Sequence, residues 1–248
     1  MNVLRFIPNL LTLANLFFGI LAVNYVVLEN FDKAAICVAL AIGFDFFDGF
    51  LARIMGTQSE FGKQLDSLAD MVTSGVVPGL VMYYLLYLNI LPHLTDQDVN
   101  ISLGRMEYDA GYVPYIGLIL SLAACYRLAT FNLDTRQTKS FIGLPTPAMC
   151  LFVISLPLIQ AYSSSEFVIY GLKNNYVLIA ITLLLSYLMN SPIRLMALKF
   201  SSFGFKENIS KYALILGSIV LLIFMKYAAI PLIITLYIVM SLIFKSED

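Results

Sequence analysis

Histidine and cysteine are scarce in this chain of 248 residues, and their scarcity excludes several kinds of site. The only histidine, His93, has no partner motif, so catalysis or metal binding built on histidine is not expected. The three cysteines, Cys37, Cys125 and Cys150, lie far apart inside apolar segments. That spacing fits neither a disulfide framework nor a zinc site, and it predicts buried, inert thiols.

Charged residues are also few, at 12% of the chain, whereas 60% of the residues are apolar and the mean hydropathy is +0.84. Apolar runs of about twenty residues are long enough to cross a bilayer as helices. The composition therefore excludes an ordinary soluble domain. It predicts an all-α fold, a polytopic bundle of transmembrane helices.

The first apolar run is expected to be a retained helix rather than a signal peptide. It follows one basic residue, Arg5, and no small-residue cleavage site ends it. Asn9, Thr12 and Asn15 place polar groups inside the run, which the apolar core of a signal peptide would lack.

Hydropathy predicts eight spans within one integral membrane domain over residues 1–248. The spans cover about residues 7–28, 33–54, 65–88, 113–132, 145–163, 175–195, 211–225 and 227–244. Because almost nothing separates the last two spans, residues 211–248 are expected to form a helical hairpin.

The distribution of lysine and arginine predicts the orientation of the bundle. When the spans alternate from a cytoplasmic N-terminus, 11 of the 15 basic residues fall on the cytoplasmic side and 4 on the outer side. The outer group is Lys33, Arg105, Lys173 and Lys226. Cytoplasmic loops of membrane proteins carry such an excess, so both termini and residues 45–70 are expected on the cytoplasmic side.

Four aspartates in the second and third spans are the strongest chemical signal in the chain. Asp45 and Asp48 are three residues apart and project from one face of a helix. Asp66 and Asp70 are four residues apart and do the same on the next helix. A short polar turn with a glycine at each end lets the two helices run antiparallel, with their carboxylates facing each other.

Four carboxylates close together in a medium of low dielectric constant repel one another strongly unless cations neutralise them. Two divalent cations would balance the four charges, and hard oxygen ligands favour Mg²⁺, Mn²⁺ or Ca²⁺ over Zn²⁺. Gly49 leaves room for a bulky ligand at the helix backbone, and Arg53 offers a bidentate donor suited to phosphate. These residues predict a two-metal site that acts on a phosphate ester.

The same residues belong to one longer motif, D-x2-D-G-x2-A-R-x8-G-x3-D-x3-D, which runs from Asp45 to Asp70. It resembles the signature of the CDP-alcohol phosphotransferases and matches it at every fixed position. The resemblance implies a membrane enzyme that moves a phosphatidyl or related group from a CDP-activated donor to an alcohol. It also implies a six-helix catalytic core within residues 1–210, followed by the C-terminal hairpin, and a homodimer with one site in each protomer.

This resemblance implies roles for the four aspartates. Asp45, Asp48 and Asp66 would be ligands of two divalent ions, Mg²⁺ or Mn²⁺, with Ca²⁺ as a further candidate. Asp70 would touch a metal and would also accept the proton of the attacking alcohol as general base. A carboxylate beside a divalent ion is suited to that task, since it can orient the hydroxyl and take its proton.

The resemblance further implies a set of residues that bind the CDP-linked donor. They are Asn9, Thr12, Gly49, Ala52, Arg53, Ser59 and Gly62. Ser59 falls where the family often has serine or threonine, and Asn9 and Thr12 resemble the first helix, which closes over the nucleotide. A structural alternative is open for three of these residues. Gly49 would then be a helix-packing glycine, and Asn9 and Thr12 would be polar contacts between helices.

Three further stretches, residues 7–16, 125–132 and 141–148, resemble the bacterial and archaeal phosphatidylserine synthases of this superfamily. The likeness implies transfer from CDP-diacylglycerol to the hydroxyl of L-serine, with phosphatidylserine and CMP as products, at the prokaryotic cytoplasmic membrane. Arg127 and Asn132 are then predicted to bind the acceptor, with extension of Arg127 to the lipid headgroups as the alternative.

Other functions stay open from the sequence. The same chemistry with glycerol 3-phosphate or inositol phosphate as acceptor would need a basic cluster close to the metals. A divalent-cation transporter would explain the four acids, but it gives no purpose to Gly49 or Arg53, and an arginine beside a cation path is repulsive. A non-catalytic scaffold is less consistent with four intact acids. The expected partners are the two substrates, membrane lipids and a second copy of the chain, and a nucleic acid is not expected.

Overall fold

The computed structural model describes residues 3–93, 99–102, 105–133, 141–196 and 208–243. Across these ranges the chain is all-α apart from short strand pairs, as the composition predicts. The α-helices are α1 (Val3–Val27), α2 (Phe31–Ile54), α3 (Glu60–Asp70), α4 (Val77–Ile90), α5 (Ile119–Leu133), α6 (Thr146–Tyr162), α7 (Glu166–Leu172), α8 (Asn175–Asn190), α9 (Ile209–Met225) and α10 (Ala229–Ile243).

Short antiparallel strand pairs connect some of these helices. β1 (Val99–Ser102) pairs with β2 (Arg105–Tyr108) between α4 and α5. β3 (Phe141–Ile142) pairs with β4 (Arg194–Leu195). The second pair ties the segment before α6 to the segment after α8, although the two are far apart in sequence.

The helices α1 and α2 lie side by side along much of their length. Ala22, Ala34 and Ala41 are fully buried, and small residues of this kind let membrane helices approach closely. The side chain of Asn30 caps α2 by accepting a hydrogen bond from the backbone N–H of Lys33 at 3.2 Å. Because α1 and α2 lie side by side, the end of α2 that carries Asp45 and Asp48 lies next to the first half of α1.

The turn between α2 and α3 reverses the chain again. Gly56 has a φ of +61°, a backbone conformation that glycine adopts without strain. The side chain of Ser59 then accepts a hydrogen bond from the backbone N–H of Gly62 at 3.0 Å and caps α3. Because α3 packs against α1, both acid-bearing helices lie beside the first helix.

A π-helical segment, Met71–Val76, joins α3 to α4 and begins directly after Asp70. One of its backbone hydrogen bonds reaches back five residues rather than four, which widens the turn by one residue. Ser121 of α5 donates a hydrogen bond to the carbonyl oxygen of Gly75 in this segment at 2.9 Å. A partner on another helix therefore bonds directly to the backbone of the π-helical segment.

The centre of the bundle lies between α4, α6 and α8, with α5 against α8 and the π-helical segment. Its buried side chains are mainly apolar and include Met82, Leu85, Met149, Val153 and Leu185. Lipid tails are as apolar as these side chains. Close packing, rather than removal from water, therefore stabilises the contacts between helices.

The predicted number of eight spans is not what the described helices give by length and composition. Five helical stretches are long and apolar enough to cross a membrane, or six if the bent pair α7 and α8 is one span. α6 lies where the fifth span was expected, but its 17 residues make it shorter than the other candidates. α7 and α8 meet at 73°, so the chain there is broken rather than straight.

The stretch Lys211–Ile243, one of the five, folds back on itself. Lys226 follows α9 with a φ of +48°, and a Cβ added to Gly217 of α9 would lie 3.3 Å from Leu236 of α10. Residues so far apart in sequence meet only if the two helices lie side by side. α10 also packs against α6, whereas many large apolar side chains of α9 are exposed.

The cysteines divide between the interior and the surface. Cys37 and Cys150 are buried, as expected, and all three thiols are free. Cys125 is exposed on α5, so the expectation that every cysteine is buried was wrong for this residue. Its side of α5 faces away from the neighbouring helices.

Candidate active site

Carboxylates from α2 and α3 meet where the two helices face each other. Asp45, Asp48 and Asp66 each offer one carboxylate oxygen, and the three oxygens all lie within 4.8 Å of one another. Asp48 is buried, and the other two are half-buried. The helical spacing and the reversed turn explain this arrangement, because they bring one face of α2 opposite one face of α3.

The three aspartates fit a divalent cation. Atom Oδ1 of Asp66 is buried and has no hydrogen-bond partner within the described part of the chain. A buried polar atom without a partner is costly, and the cost rises steeply when the atom carries charge. Three hard oxygen donors at this separation are the ligand set that Mg²⁺, Mn²⁺ and Ca²⁺ prefer. A bound cation would supply the partner that this oxygen of Asp66 lacks.

Asp70, the fourth predicted ligand, lies at the end of α3 and is not one of the three oxygen donors that cluster. Its Oδ1 atom accepts a hydrogen bond from Nδ2 of Asn15 on α1 at 3.3 Å. Asp70 is half-buried at the junction with the π-helical segment. The structure thus brings three of the four acids together and holds the fourth through α1.

Thr12 connects α1 to the cluster of three aspartates. Its hydroxyl donates to Oδ2 of Asp48 and also lies 3.2 Å from the carbonyl oxygen of Pro8. The Thr12 side chain is buried at 3% exposure. Thr12 was predicted to bind the donor, and the structure adds a direct contact with an acid.

An open cleft of about 850 Å³ lies beside the carboxylates. Asp48 and Asp66 line it, together with every residue predicted to bind the donor. Those residues are Asn9, Thr12, Gly49, Ala52, Arg53, Ser59 and Gly62. The motif residues of α1, α2 and α3 therefore line the same cleft, next to the candidate metal ligands.

Gly49 and Arg53 form the α2 side of the cleft. A Cβ added to Gly49 would meet only Nη2 of Arg53, at 3.8 Å, so no neighbouring helix in the described ranges needs this glycine for packing. Nε of Arg53 donates to the carbonyl oxygen of Gly49 at 2.9 Å. That bond fixes the base of the exposed guanidinium, and within the described part of the chain both terminal nitrogens stay available to a ligand.

The α3 side of the cleft begins at the helix N-terminus. Ser59 caps this end, and a Cβ on Gly62 would lie 3.2 Å from the Ser59 hydroxyl oxygen and 3.5 Å from Oδ1 of Asn9. Atom Oγ1 of Thr57, which also lines the cleft, is buried without a hydrogen-bond partner in the described residues. A helix N-terminus with free hydroxyl groups nearby favours an anionic ligand.

Lys63 is a cleft residue that the sequence motif does not specify. It lines the cleft, and its Nζ donates to the carbonyl oxygen of Asn132 at 2.8 Å. Phe131 lines the cleft as well. The available signal was the position of Lys63, directly after Gly62 of the motif.

The predicted acceptor residues lie at two different places. Nδ2 of Asn132 donates to the hydroxyl of Ser67 on α3 at 2.7 Å, and the Asn132 carbonyl oxygen accepts from Lys63 of the cleft, so Asn132 lies close to the cleft. Arg127 does not line the cleft. The predicted acceptor binding by both residues stays a prediction.

Arg127 holds backbone from two other segments. Its Nη1 donates to the carbonyl oxygens of Ile142 and Met189, at 2.9 and 2.7 Å. The side chain is buried at 8% exposure, which does not fit the alternative of extension to the lipid headgroups. The guanidinium connects the end of α8 to the strand before α6.

Comparison with known proteins agrees with the motif. The family model described as CDP-alcohol phosphatidyltransferase matches residues 5–203. The chain is 30% identical to a CDP-diacylglycerol–serine O-phosphatidyltransferase of Bacillus subtilis over 198 residues, covering 77% of this chain and 90% of that protein. It is 32% identical over 155 residues to the enzyme of the same name from Helicobacter pylori, where the match covers 62% of this chain and 57% of the other.

An archaeal relative shows similar likeness. The archaetidylserine synthase of Methanothermobacter thermautotrophicus is 29% identical over 185 residues, or 72% of this chain and 66% of that protein. The family match includes all the acids of the motif and runs from the first turn of α1 to beyond the end of α8. The chain therefore belongs to the CDP-alcohol phosphatidyltransferase family.

Proposed function

We propose that this protein transfers the phosphatidyl group of CDP-diacylglycerol to the hydroxyl of L-serine, releasing CMP and forming phosphatidylserine. The observation that carries the proposal is the group of three carboxylates beside a cleft lined by the predicted donor-binding residues. Serine as the acceptor is supported by relatives of two bacterial genera that carry the name of this activity.

Asp45, Asp48, Asp66 and Asp70 would hold two divalent cations, Mg²⁺ or Mn²⁺, with Ca²⁺ as a further candidate. When bound, such ions neutralise the acids and withdraw charge from the phosphate oxygens of the donor. The unpartnered oxygen of Asp66 supports this assignment, because the chain itself supplies no hydrogen bond for it in the described residues.

The donor's CDP moiety would occupy the cleft. Arg53 offers two free terminal nitrogens to the diphosphate, in the planar geometry that suits phosphate oxygens. The N-terminus of α3 and the hydroxyl of Thr57 add further donors. Gly49 keeps this wall low, so a bulky nucleotide can approach the backbone of α2.

In the chemical step, Asp70 accepts the proton of the serine hydroxyl as its oxygen attacks the phosphatidyl phosphorus. A new phosphorus–oxygen bond forms to serine, and the bond between that phosphorus and the oxygen of CMP breaks. CMP leaves with the electron pair of the broken bond. Direct attack needs no covalent intermediate on the enzyme. Placing the base beside the acceptor accounts for a typical gain of about 10²–10⁴-fold in rate.

The site is proposed to lie at the cytoplasmic face of a prokaryotic cytoplasmic membrane, in a homodimer with both termini on the same side. The excess of lysine and arginine in the segments assigned to that side supports this orientation. A nucleotide-linked donor is available on the cytoplasmic side. The dimer rests on family resemblance.

Two alternatives keep part of this description. Lys63 and Arg53 in the cleft would also suit a phosphorylated acceptor such as glycerol 3-phosphate or inositol phosphate. A divalent-cation transporter is disfavoured, because the positively charged side chains of Lys63 and Arg53 would repel a metal ion that passed along the cleft.

The test is release of CMP from CDP-diacylglycerol by the purified full-length protein in lipid nanodiscs, with L-serine, glycerol 3-phosphate or inositol phosphate. We expect release with serine and incorporation of labelled serine into lipid. EDTA should abolish both, and excess Mn²⁺ or Mg²⁺ should restore them. Release with glycerol 3-phosphate but not serine would overturn the acceptor. Metal flux into liposomes without CMP release would overturn the enzyme class.

A further inference from the structure

Asn15 is a buried polar residue of α1 to which the proposed reaction gives no role. Its side chain is fully buried, at 0% exposure, in the middle of an apolar helix. The amide group contacts two residues beyond α1. Its Nδ2 donates to Oδ1 of Asp70 at 3.3 Å, and its Oδ1 accepts from the hydroxyl of Thr73 at 2.8 Å. A polar side chain is retained at such depth only where its partners compensate for burial.

The carboxylate of Asp70 determines which end of the amide faces it, because an ionised carboxylate only accepts hydrogen bonds and so requires the NH₂ end. At the other end, the Thr73 hydroxyl donates to Oδ1 of Asn15 at 2.8 Å, with the backbone carbonyl oxygen of Asn15 at 3.4 Å as its second acceptor, and this holds the amide in the same orientation. The reverse orientation would place two acceptors, the amide oxygen and the carboxylate, against each other. The network therefore has one consistent polarity, which the Thr73 hydroxyl supports from the far end of the amide.

Thr73 is itself fixed from several sides. It lies in the π-helical segment, three residues after Asp70, with 1% of its side chain exposed. Its carbonyl oxygen accepts a hydrogen bond from the thiol of Cys150 on α6 at 3.4 Å. A Cβ on Gly19 of α1 would overlap the Thr73 side chain, so glycine there lets α1 approach this segment. Single-turn π-helical segments occur frequently at functional sites.

We infer that Asn15 is a positioning residue for Asp70 and that Thr73 acts through it by orienting its amide. This inference rests on the proposed role of Asp70 as general base. The bond from Asn15 engages one oxygen of the carboxylate and fixes its plane, which leaves the other oxygen for the acceptor hydroxyl. A base whose direction is fixed accepts the proton without first reorganising.

A purely structural role makes a different prediction. Hydrogen bonds between membrane helices also stabilise a bundle, and their loss then lowers the amount of folded protein without changing turnover per folded molecule. A positioning role lowers kcat in protein that is folded and still binds the donor. The conservative variant at Thr73 separates the two, because serine retains the hydroxyl and valine retains the shape.

The experiment compares Asn15→Ala, Thr73→Val, Thr73→Ser and the double variant Asn15→Ala with Thr73→Val, each as full-length protein in nanodiscs. kcat and KM are measured for CDP-diacylglycerol and serine at saturating Mn²⁺. Asn89→Ala and Thr182→Val serve as matched controls. The Asn89 amide bonds to the carbonyl oxygen of Leu172, and the buried Thr182 hydroxyl bonds to that of Leu178.

We expect kcat to fall by about tenfold or more in Asn15→Ala and Thr73→Val, as for other residues that orient a functional group from behind. KM for CDP-diacylglycerol should change by less than about twofold, since neither residue lines the cleft. Thr73→Ser and both controls should stay close to the parent. The double variant should be no slower than Asn15→Ala, because Thr73 has no effect once the amide is gone.

Equal loss of kcat in Thr73→Val and Thr73→Ser would overturn the inference, as would multiplicative losses in the double variant. So would a parental kcat in folded Asn15→Ala. Asp70→Asn distinguishes this failure from failure of the proposed function. If Asp70→Asn keeps its turnover, the assignment of the base is wrong and the positioning role falls with it. If Asp70→Asn is inactive while Asn15→Ala is not, only the positioning role is wrong.

Discussion

The hydroxyl of Thr12 on α1 donates a hydrogen bond to the carboxylate of Asp48 on α2. The helix α1 therefore lines the cleft and also orients Asp48, one of the three clustered aspartates, on α2. A carboxylate that is oriented by a second residue binds a cation with less loss of conformational freedom. The contact links the first stretch of the sequence to the acid motif.

Replacing Thr12 by valine should weaken the binding of the activating metal. The variant loses the donor to Asp48 while the side chain keeps its shape. We expect the Mn²⁺ concentration for half-maximal activity to rise by about 10–100-fold, the usual cost of removing a residue that orients a metal ligand. Thr12→Ser should retain most of the affinity. Calorimetric titration of Mn²⁺ in the absence of substrate checks the same quantity without turnover.

Thr235 provides the control for that experiment. Its hydroxyl bonds to the carbonyl oxygen of Pro231 at 2.8 Å, as the hydroxyl of Thr12 does to that of Pro8 at 3.2 Å, but no carboxylate of the described residues hydrogen-bonds to it. Thr235→Val should leave the metal requirement unchanged. Unchanged metal affinity in Thr12→Val would show that its contact with Asp48 does not serve the metal.

Asp70→Asn should abolish turnover but not donor binding. The amide has nearly the same shape as the carboxylate, but it cannot accept the proton of the serine hydroxyl. We expect kcat to fall by about 10²–10⁴-fold, the range for loss of a general base. Binding of CDP-diacylglycerol, measured by displacement with CMP, should persist. Asp109→Asn is the control, because the Asp109 side chain accepts a hydrogen bond from the backbone N–H of Gly111 and is not among the residues that line the cleft.

The clustering of the aspartates could be predicted from the sequence, because it depends on helix periodicity and on the residues of one turn. Helical periodicity places Asp45 and Asp48 on one face, and a glycine turn with a serine cap returns the chain. Hydropathy predicted a helical membrane protein for the same reason, since it depends on composition within each segment. The prediction of eight spans is not confirmed, because by length and composition the described helices give five candidates, or six with the bent pair α7 and α8.

Features that depend on distant partners were not accessible from the sequence. The π-helical segment has no local signature, and one of its carbonyl groups is satisfied by Ser121 of another helix. The sequence gives no sign that Lys63 bonds to the end of α5, because that contact depends on how α3 and α5 pack. The motif around Arg127 predicted binding of the acceptor. It gave no sign of the carbonyl oxygens to which Arg127 donates, which belong to residues far away along the chain.

Arg127→Met should lower the stability of the bundle. The variant leaves the carbonyl oxygens of Ile142 and Met189 without their donor in a buried place. Each unsatisfied buried group costs about 1–3 kcal/mol, so the thermal unfolding temperature in detergent should fall by several degrees. Arg194→Met in the exposed part of β4 is the control. An unchanged unfolding temperature with a raised KM for serine would favour the acceptor role instead.

Gly49→Ala should impair donor binding without destabilising the protein. The added Cβ meets only Arg53, at 3.8 Å, and otherwise projects into the cleft. Alanine favours a helix over glycine by about 0.5–1 kcal/mol, so the unfolding temperature should hold or rise. KM for CDP-diacylglycerol should rise severalfold, because the methyl group occupies space that the nucleotide needs. Steady-state kinetics and thermal unfolding of the same preparation check both quantities.

Gly43→Ala on the same helix separates the two effects. A Cβ at Gly43 meets nothing within 4 Å, so this variant carries the same gain in helix propensity at a position outside the cleft. It should raise stability and leave KM unchanged. If Gly49→Ala instead unfolds at a lower temperature and binds the donor normally, Gly49 is a packing glycine, and the low wall of α2 does not serve the nucleotide.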